Sequence, residues 1–293
     1  MEPSRKTKTL RRVAQILLAL IFAALCILGG CLVRLVIMKN GGDPAPAPTA
    51  SPIPATAEST ASPTPAPTPT ATPEPTAEPS PTPVPVELAE TEDAGQAYID
   101  KIVFLGDSTT YGLGAYGILP FTQIWTDSIG TLSLFNWATD TIAYYDPANP
   151  YSAESLYIPD CAARRQPEYL VITLGINGIA LLNEAEFRDY YVNMVKAIQA
   201  ASPDTKIICQ SVYPVIDSLV PNGISNEKVN AANEWIYDIA AQTGVRYLNS
   251  HDVLMDDSGG LDRAYTDDTA MGIHLNSAGF SVLLQNIRTH AYQ

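Results

Sequence analysis

Along residues 101–290, short unbroken apolar runs alternate with longer stretches in which apolar residues return every three or four positions. The runs are Ile102–Leu105, Leu132–Trp137, Tyr169–Leu174, Lys206–Ser211 and Val245–Leu248. Apolar runs of this length suit strands buried on both faces of a parallel sheet. The spaced stretches predict helices. Glu184 to Ala201 lines up Phe187, Tyr190, Tyr191, Met194, Val195 and Ile198, and Asn226 to Thr243 lines up Val229, Ala232, Ile236, Ile239 and Ala240. Gly244 suits a helix C-cap, and a last helix is expected from about Ser277 to His290. Strands alternating with helices imply right-handed crossovers and a single three-layer α/β domain with a parallel sheet of about five strands.

The pattern before residue 90 is different. Residues 1–12 carry Arg5, Lys6, Lys8, Arg11 and Arg12, and an apolar stretch over residues 13–38 is long enough to cross a bilayer as a helix. Positive charge is denser before the span, so the positive-inside rule leaves residues 1–12 in the cytoplasm and everything after the span outside. Leu28-Gly29-Gly30-Cys31 also resembles a lipoprotein cleavage box, which would anchor the chain through a lipid on Cys31 instead. Both readings place the protein at the cell membrane. Residues 39–89 read as a linker, since fifteen of the 24 prolines fall in residues 43–86 among Ala, Thr and Ser. Such a composition buries too little apolar surface to fold. As polyproline II it would reach on the order of 130 Å. The remaining residues, 90–293, have the size of one globular domain.

Ten of the 17 basic and 26 of the 31 acidic residues lie after residue 86, a net charge of −16 there. Nucleic acid is thereby disfavoured as a partner, because phosphate binding needs a basic face. No cofactor-binding motif appears, and no pair of the three histidines has ligand spacing, so no metal site is expected. Of the four cysteines only Cys161 and Cys209 lie beyond the span, with no indication that they pair.

Candidate chemistry sits at strand ends. The first run stops at Gly106-Asp107-Ser108, the third continues into Gly175-Ile176-Asn177-Gly178, and Gly272-Ile273-His274 precedes the last helix. A parallel sheet brings the loops after its strands to one edge, where ligands bind in open α/β folds. A serine hydroxyl there becomes nucleophilic when an imidazole takes its proton. The oxyanion that follows attack on an ester needs preset donors, such as an Asn amide and the serine N–H. Asp107 and Ser108 would also serve as plain helix-capping residues.

These blocks together resemble the SGNH (GDSL-type) hydrolase superfamily of serine esterases and lipases. Gly106-Asp107-Ser108, with Gly112 beyond it, matches the first block, Gly175-Ile176-Asn177 the third and Gly272-Ile273-His274 the last. The resemblance implies a flavodoxin-like fold, Ser108 as nucleophile, His274 as general base, and an oxyanion hole of the Ser108 N–H, Asn177 and a second-block residue. The best sequence match for that block is Asn136-Trp137-Ala138, which puts Ala138 where the family has glycine. The family also carries an aspartate three residues before the histidine, where this chain has Met271. Asp267 or Asp268 would then have to orient His274. His251 is the competing base, and His290 reads as a capping or solvated residue.

Two readings follow. In one, the protein is an extracytoplasmic, membrane-tethered serine esterase that removes acyl groups, chiefly acetyl, from a cell-surface or environmental glycan, or cleaves a small ester. In the other, Met271 marks a lost triad and the fold is a non-catalytic module that binds a wall glycan or a partner protein. Residues 111–157, with ten of the 24 aromatics, supply core packing and candidate cleft-lining rings.

Overall fold

The structure, a computed structural model, describes residues 85–221 and 223–293. In chain order the elements are α1 (Gln96–Ile99), β1 (Ile102–Leu105), α2 (Ser108–Ala115), β2 (Ile124–Trp125), β3 (Ile142–Tyr145), β4 (Ala153–Leu156), α3 (Ile158–Arg165), β5 (Tyr169–Ile172), α4 (Ile176–Ile179), α5 (Glu184–Ala201), β6 (Lys206–Gln210), α6 (Asn226–Thr243), β7 (Arg246–Leu248) and α7 (Ser277–Thr289). The expected membrane span and nearly all of the linker lie outside the described residues. Among the described residues no helix is long and apolar enough to cross a membrane.

Local chemistry fixes the long helices where the spacing puts them. Asn183 and Glu186 cap α5 reciprocally, each side chain accepting the other's backbone N–H. The Ser225 hydroxyl accepts the Lys228 N–H at the start of α6, and Gly244 ends it in the left-handed region at φ 70°. Asn276 caps α7 by accepting the N–H groups of Ala278 and Gly279.

Five strands pair in parallel in the order β2-β1-β5-β6-β7, with Phe104 beside Val171 and Val171 beside Ile208. With the separate β3–β4 hairpin set aside, this is the flavodoxin-like order, which reverses between β1 and β5. Alternate strand residues feed two cores. Val103, Leu105, Leu170, Ile172, Ile207 and Cys209 pack with Phe187, Tyr191, Val195, Val229 and Ile236 of α5 and α6. Ile102, Phe104, Val171, Ile208 and Leu248 pack with Leu113, Phe280, Leu283 and Ile287 of α2 and α7. Cys161 and Cys209 are both buried free thiols.

Three expectations are corrected. Leu132–Trp137 is not a strand. Asn136 Oδ1 accepts the Ser133 N–H at 3.0 Å, and this local bond winds Leu134–Asn136 into a 3₁₀ turn whose Leu134 enters the core. The outer strand is instead β2, only two residues long and flanked by Gln123 and Thr126. The β3–β4 hairpin was not expected either, because Ala153, Glu154 and Ser155 are exposed and leave no apolar run. Finally, the folded domain begins before residue 90. Val86 O accepts the Tyr247 N–H at 2.9 Å, the Leu88 N–H donates to Tyr247 O at 2.8 Å, and the Leu88 side chain is buried.

Candidate active site

The residue after β1 must be glycine for a steric reason: a Cβ at Gly106 would lie 1.9 Å from Thr173 Oγ1 and 2.2 Å from Thr110 Oγ1. Asp107 then caps α2, its Oδ1 accepting the Thr109 N–H at 3.0 Å and the Thr109 hydroxyl at 2.9 Å. Ser108 is thereby the first residue of the helix, where a backbone N–H has no intrahelical acceptor and the helix dipole favours negative charge. Burial pushes the Asp107 carboxyl up to about 6, against the opposing pull of the Thr109 N–H and hydroxyl and of the His274 charge.

His274 arrives from the segment that leads into α7. Its Nε2 lies 3.0 Å from Ser108 Oγ, and its Nδ1 lies 2.7 Å from Asp268 Oδ2. Because an ionised carboxylate only accepts, Nδ1 carries the proton and donates it to Asp268. The Nε2 lone pair then faces the serine, which donates its hydroxyl to it. Asp268 is itself fixed. Its Oδ1 accepts the N–H groups of Ala270 at 3.1 Å and Met271 at 2.8 Å, and Thr266 Oγ1 accepts the Asp268 N–H while donating to His274 O. Burial works to raise the Asp268 carboxyl. The hydrogen bonds from His274 and the Met271 N–H, with the His274 charge, outweigh it and hold the group well below the usual carboxylate range.

The two acids named from the sequence therefore separate. Asp268 meets the imidazole, and Asp267 is exposed. Met271 does not leave the histidine unoriented, since the loop closes through Gly272 at φ +67° and brings in a carboxylate from further back in the chain. The observation on which the lost-triad reading stood is thereby removed. His251 pairs with Asp252 at 3.1 Å, and the His290 ring bonds Asn286 O at 2.9 Å at the end of α7, so neither is engaged with Ser108.

A glycine outside the matched blocks packs against the serine. Ala138 sits exposed in the turn that follows the 3₁₀ helix. The residue backed against the serine is Gly130, at φ +75°, where a Cβ would lie 3.0 Å from Ser108 Cα and 2.9 Å from Tyr111 Cβ. Only glycine brings backbone that close in that conformation. Asp127 shapes this loop by accepting the N–H groups of Ile129 at 3.3 Å and Thr131 at 2.6 Å. Asn177, at the start of α4, donates one Nδ2 hydrogen to Leu132 O at 3.2 Å, which ties it to the same loop. The sequence signal for Gly130 was a lone glycine after a strand too short to be read. Gly112 packs its bare Cα against the Phe280 ring, and Gly175, beside Val212, opens α4.

Residues 104–282 match the GDSL-like Lipase/Acylhydrolase family, and the chain belongs to that family. No curated protein matches the chain significantly. Among solved structures it is similar to a Bacteroides fragilis protein assigned as an acylhydrolase, at 19% identity over 68% of this chain and 88% of that one, TM-score 0.47. A GDSL-like lipase from Bacteroides thetaiotaomicron is similar at 18% identity over 64% and 85%, TM-score 0.45. The periplasmic domain of a lipopolysaccharide acetyltransferase from Salmonella ser. Paratyphi A is similar at 18% identity over 66% and 87%, TM-score 0.43.

Proposed function

Starting from a member of the GDSL-like lipase/acylhydrolase family, we propose a serine esterase that removes acetyl groups from a glycan outside the cytoplasm, held at the membrane by the segment before the domain. One observation carries the chemistry: Ser108, His274 and Asp268 form an unbroken chain of hydrogen bonds of 3.0 and 2.7 Å. In this reading Ser108 Oγ attacks the acyl carbon and its proton passes to His274 Nε2. The imidazolium that forms is stabilised by Asp268. The tetrahedral oxyanion is received by the Ser108 N–H and the free Nδ2 hydrogen of Asn177, joined by the Gly130 N–H, which in this structure donates to Asp127 O at 3.4 Å. As the ester C–O bond breaks, His274 Nε2–H protonates the departing sugar oxygen; water, deprotonated by the same imidazole, then attacks the acyl-Ser108 ester and releases the carboxylic acid with the proton returned to Ser108 Oγ.

The location and substrate rest on separate support. The apolar stretch over residues 13–38 and the proline-rich linker beyond it suit a domain held away from a membrane. Pro85 meets the domain at Arg246, the first residue of β7, whereas Ser108 lies past the last residue of β1. In a parallel sheet those are opposite ends, so the site faces away from the point where the chain enters.

The test is acetate release from O-acetylated polysaccharides by the full-length protein, beside Ser108→Ala. The reading expects release by the wild-type chain and none by the variant. Release that survives in Ser108→Ala would overturn it.

A further inference from the structure

Helix α6 buries Val229, Ala232, Ile236 and Ile239 in the core, and a second stripe along it carries Asn230, Glu234, Tyr237 and Asp238. Spacings of three and four put these on one face. All four are exposed, so the helix does not need them to pack. The stripe borders β7 and the chain that leaves it, and between them lies an open groove of about 680 Å³. Small-ligand sites run from roughly 300 to 1,000 Å³. Neither Ser108, Asp268 nor His274 lines this groove, so it stands apart from the catalytic residues.

Its apolar part is held in place. Tyr247 of β7 meets the Tyr237 ring edge to face, with centroids 5.4 Å apart, so Tyr237 is braced although it is 39% exposed. Met255, equally exposed, adds an apolar rim. The polar part is held as well. Asn249 Nδ2 donates to Asp252 Oδ2 at 2.9 Å, and the His251 N–H donates to Ser211 Oγ at 2.9 Å. The His251 Nδ1 lies 3.1 Å from Asp252 Oδ1, and since a carboxylate only accepts, Nδ1 carries the proton. The Nε2 lone pair is left in a residue 6% exposed, with no hydrogen-bond partner among the described residues. Buried acceptors are nearly always satisfied, and a ligand hydroxyl is the kind of donor this one lacks.

A braced tyrosine beside amides, carboxylates and an unpaired acceptor suits a molecule with an apolar ring face and a rim of hydroxyls. Sugars have that form. Of the three carboxylates at the groove, Glu234, Asp238 and Asp252, Arg188 meets Asp238 at 3.0 Å. The negative charge that remains repels an acidic sugar. Asn249 and Asp252 follow the last residue of β7, so this end of the groove shares a sheet edge with Ser108, which follows β1. Three strand spacings, about 14 Å, separate β1 from β7 in the sheet order.

We propose that the groove between α6 and β7 binds a chain of sugars without acidic groups, at a site distinct from the catalytic one. If the esterase reading above holds, one polymer can lie in the groove while another of its units reaches Ser108.

The experiment titrates the full-length chain calorimetrically with β-1,4-linked hexamers of glucose, mannose, xylose and N-acetylglucosamine, and with a hexamer of galacturonic acid. At least one of the first four should bind. Tyr237→Ala and Asn230→Ala should each weaken that binding by about tenfold, and the galacturonate should bind more weakly than the uncharged hexamer. Both substitutions sit on an exposed helix face, where alanine favours the helix. No binding by any of the four would overturn the proposal, as would binding that both variants retain in full or a preference for the galacturonate. None of these sugars carries an ester, so the titration is blind to turnover. A chain that binds but releases no acetate would sink the esterase reading and leave the groove standing.

Discussion

Two aspartates at the site, Asp107 fully buried and Asp268 half-buried, titrate in opposite senses, and each makes a prediction. Asp268 accepts the proton-bearing Nδ1 of His274. Asp268→Asn would keep the Oδ1 contacts to the Ala270 and Met271 N–H groups but present an amide donor to Nδ1. The imidazole would then turn its Nε2–H toward Ser108 and lose its base. By analogy with the corresponding change in serine proteases, kcat/KM should fall by roughly four decades. Asp267→Asn and Met271→Asp should leave it within a few-fold, as steady-state ester hydrolysis would show. Asp107 tests stability instead. Its folded value of about 6 lies above the ordinary 3.8. Between those values the folded chain keeps a proton the unfolded chain has released, so stability falls as pH rises from about 4 to 6 and is level above. The full effect is about 3 kcal/mol. Urea unfolding from pH 4 to 7 should show Asp107→Asn gaining on the wild-type chain by that order across the window.

At the scale of elements, legibility followed length and burial. The helices α5, α6 and α7 and the strands β1, β5, β6 and β7 all fall within the stretches that spacing and apolar runs mark out, because each buries a full face. What escaped was settled by other forces. Ser133 and Asn136 bend an apolar run into a turn through one local hydrogen bond. β2 is a strand only because Phe104 and Leu105 offer it an edge. Gly130 follows that hidden strand, so the loop packed against Ser108 could not be read where Ser108 and His274 could. Asp268 was one of two acids, and only the closed loop through Gly272 separates them. The entry segment was missed because Pro83 and Pro85 continue the linker composition up to the sheet edge. Leu88, 3% exposed, anchors it. Leu88→Ala should cost about 2–4 kcal/mol in urea unfolding. Turnover at the distant catalytic edge should be unaffected.

For the whole molecule, the flavodoxin-like strand order places Ser108 and Asn177 beyond β1 and β5, on either side of the point where the order reverses. The long excursion from β7 to α7 folds back to deliver His274 and Asp268 to the same edge. The central claim is that this convergence makes Ser108 an activated nucleophile. The direct measurement treats the full-length chain with a fluorophosphonate and maps the adduct by peptide mass, beside Ser108→Ala, His274→Ala and Asp268→Asn. The structure predicts a single adduct on Ser108, lost in Ser108→Ala and His274→Ala and strongly slowed in Asp268→Asn. An unlabelled Ser108, under conditions where a known serine esterase reacts fully, would contradict the account, as would labelling indifferent to His274.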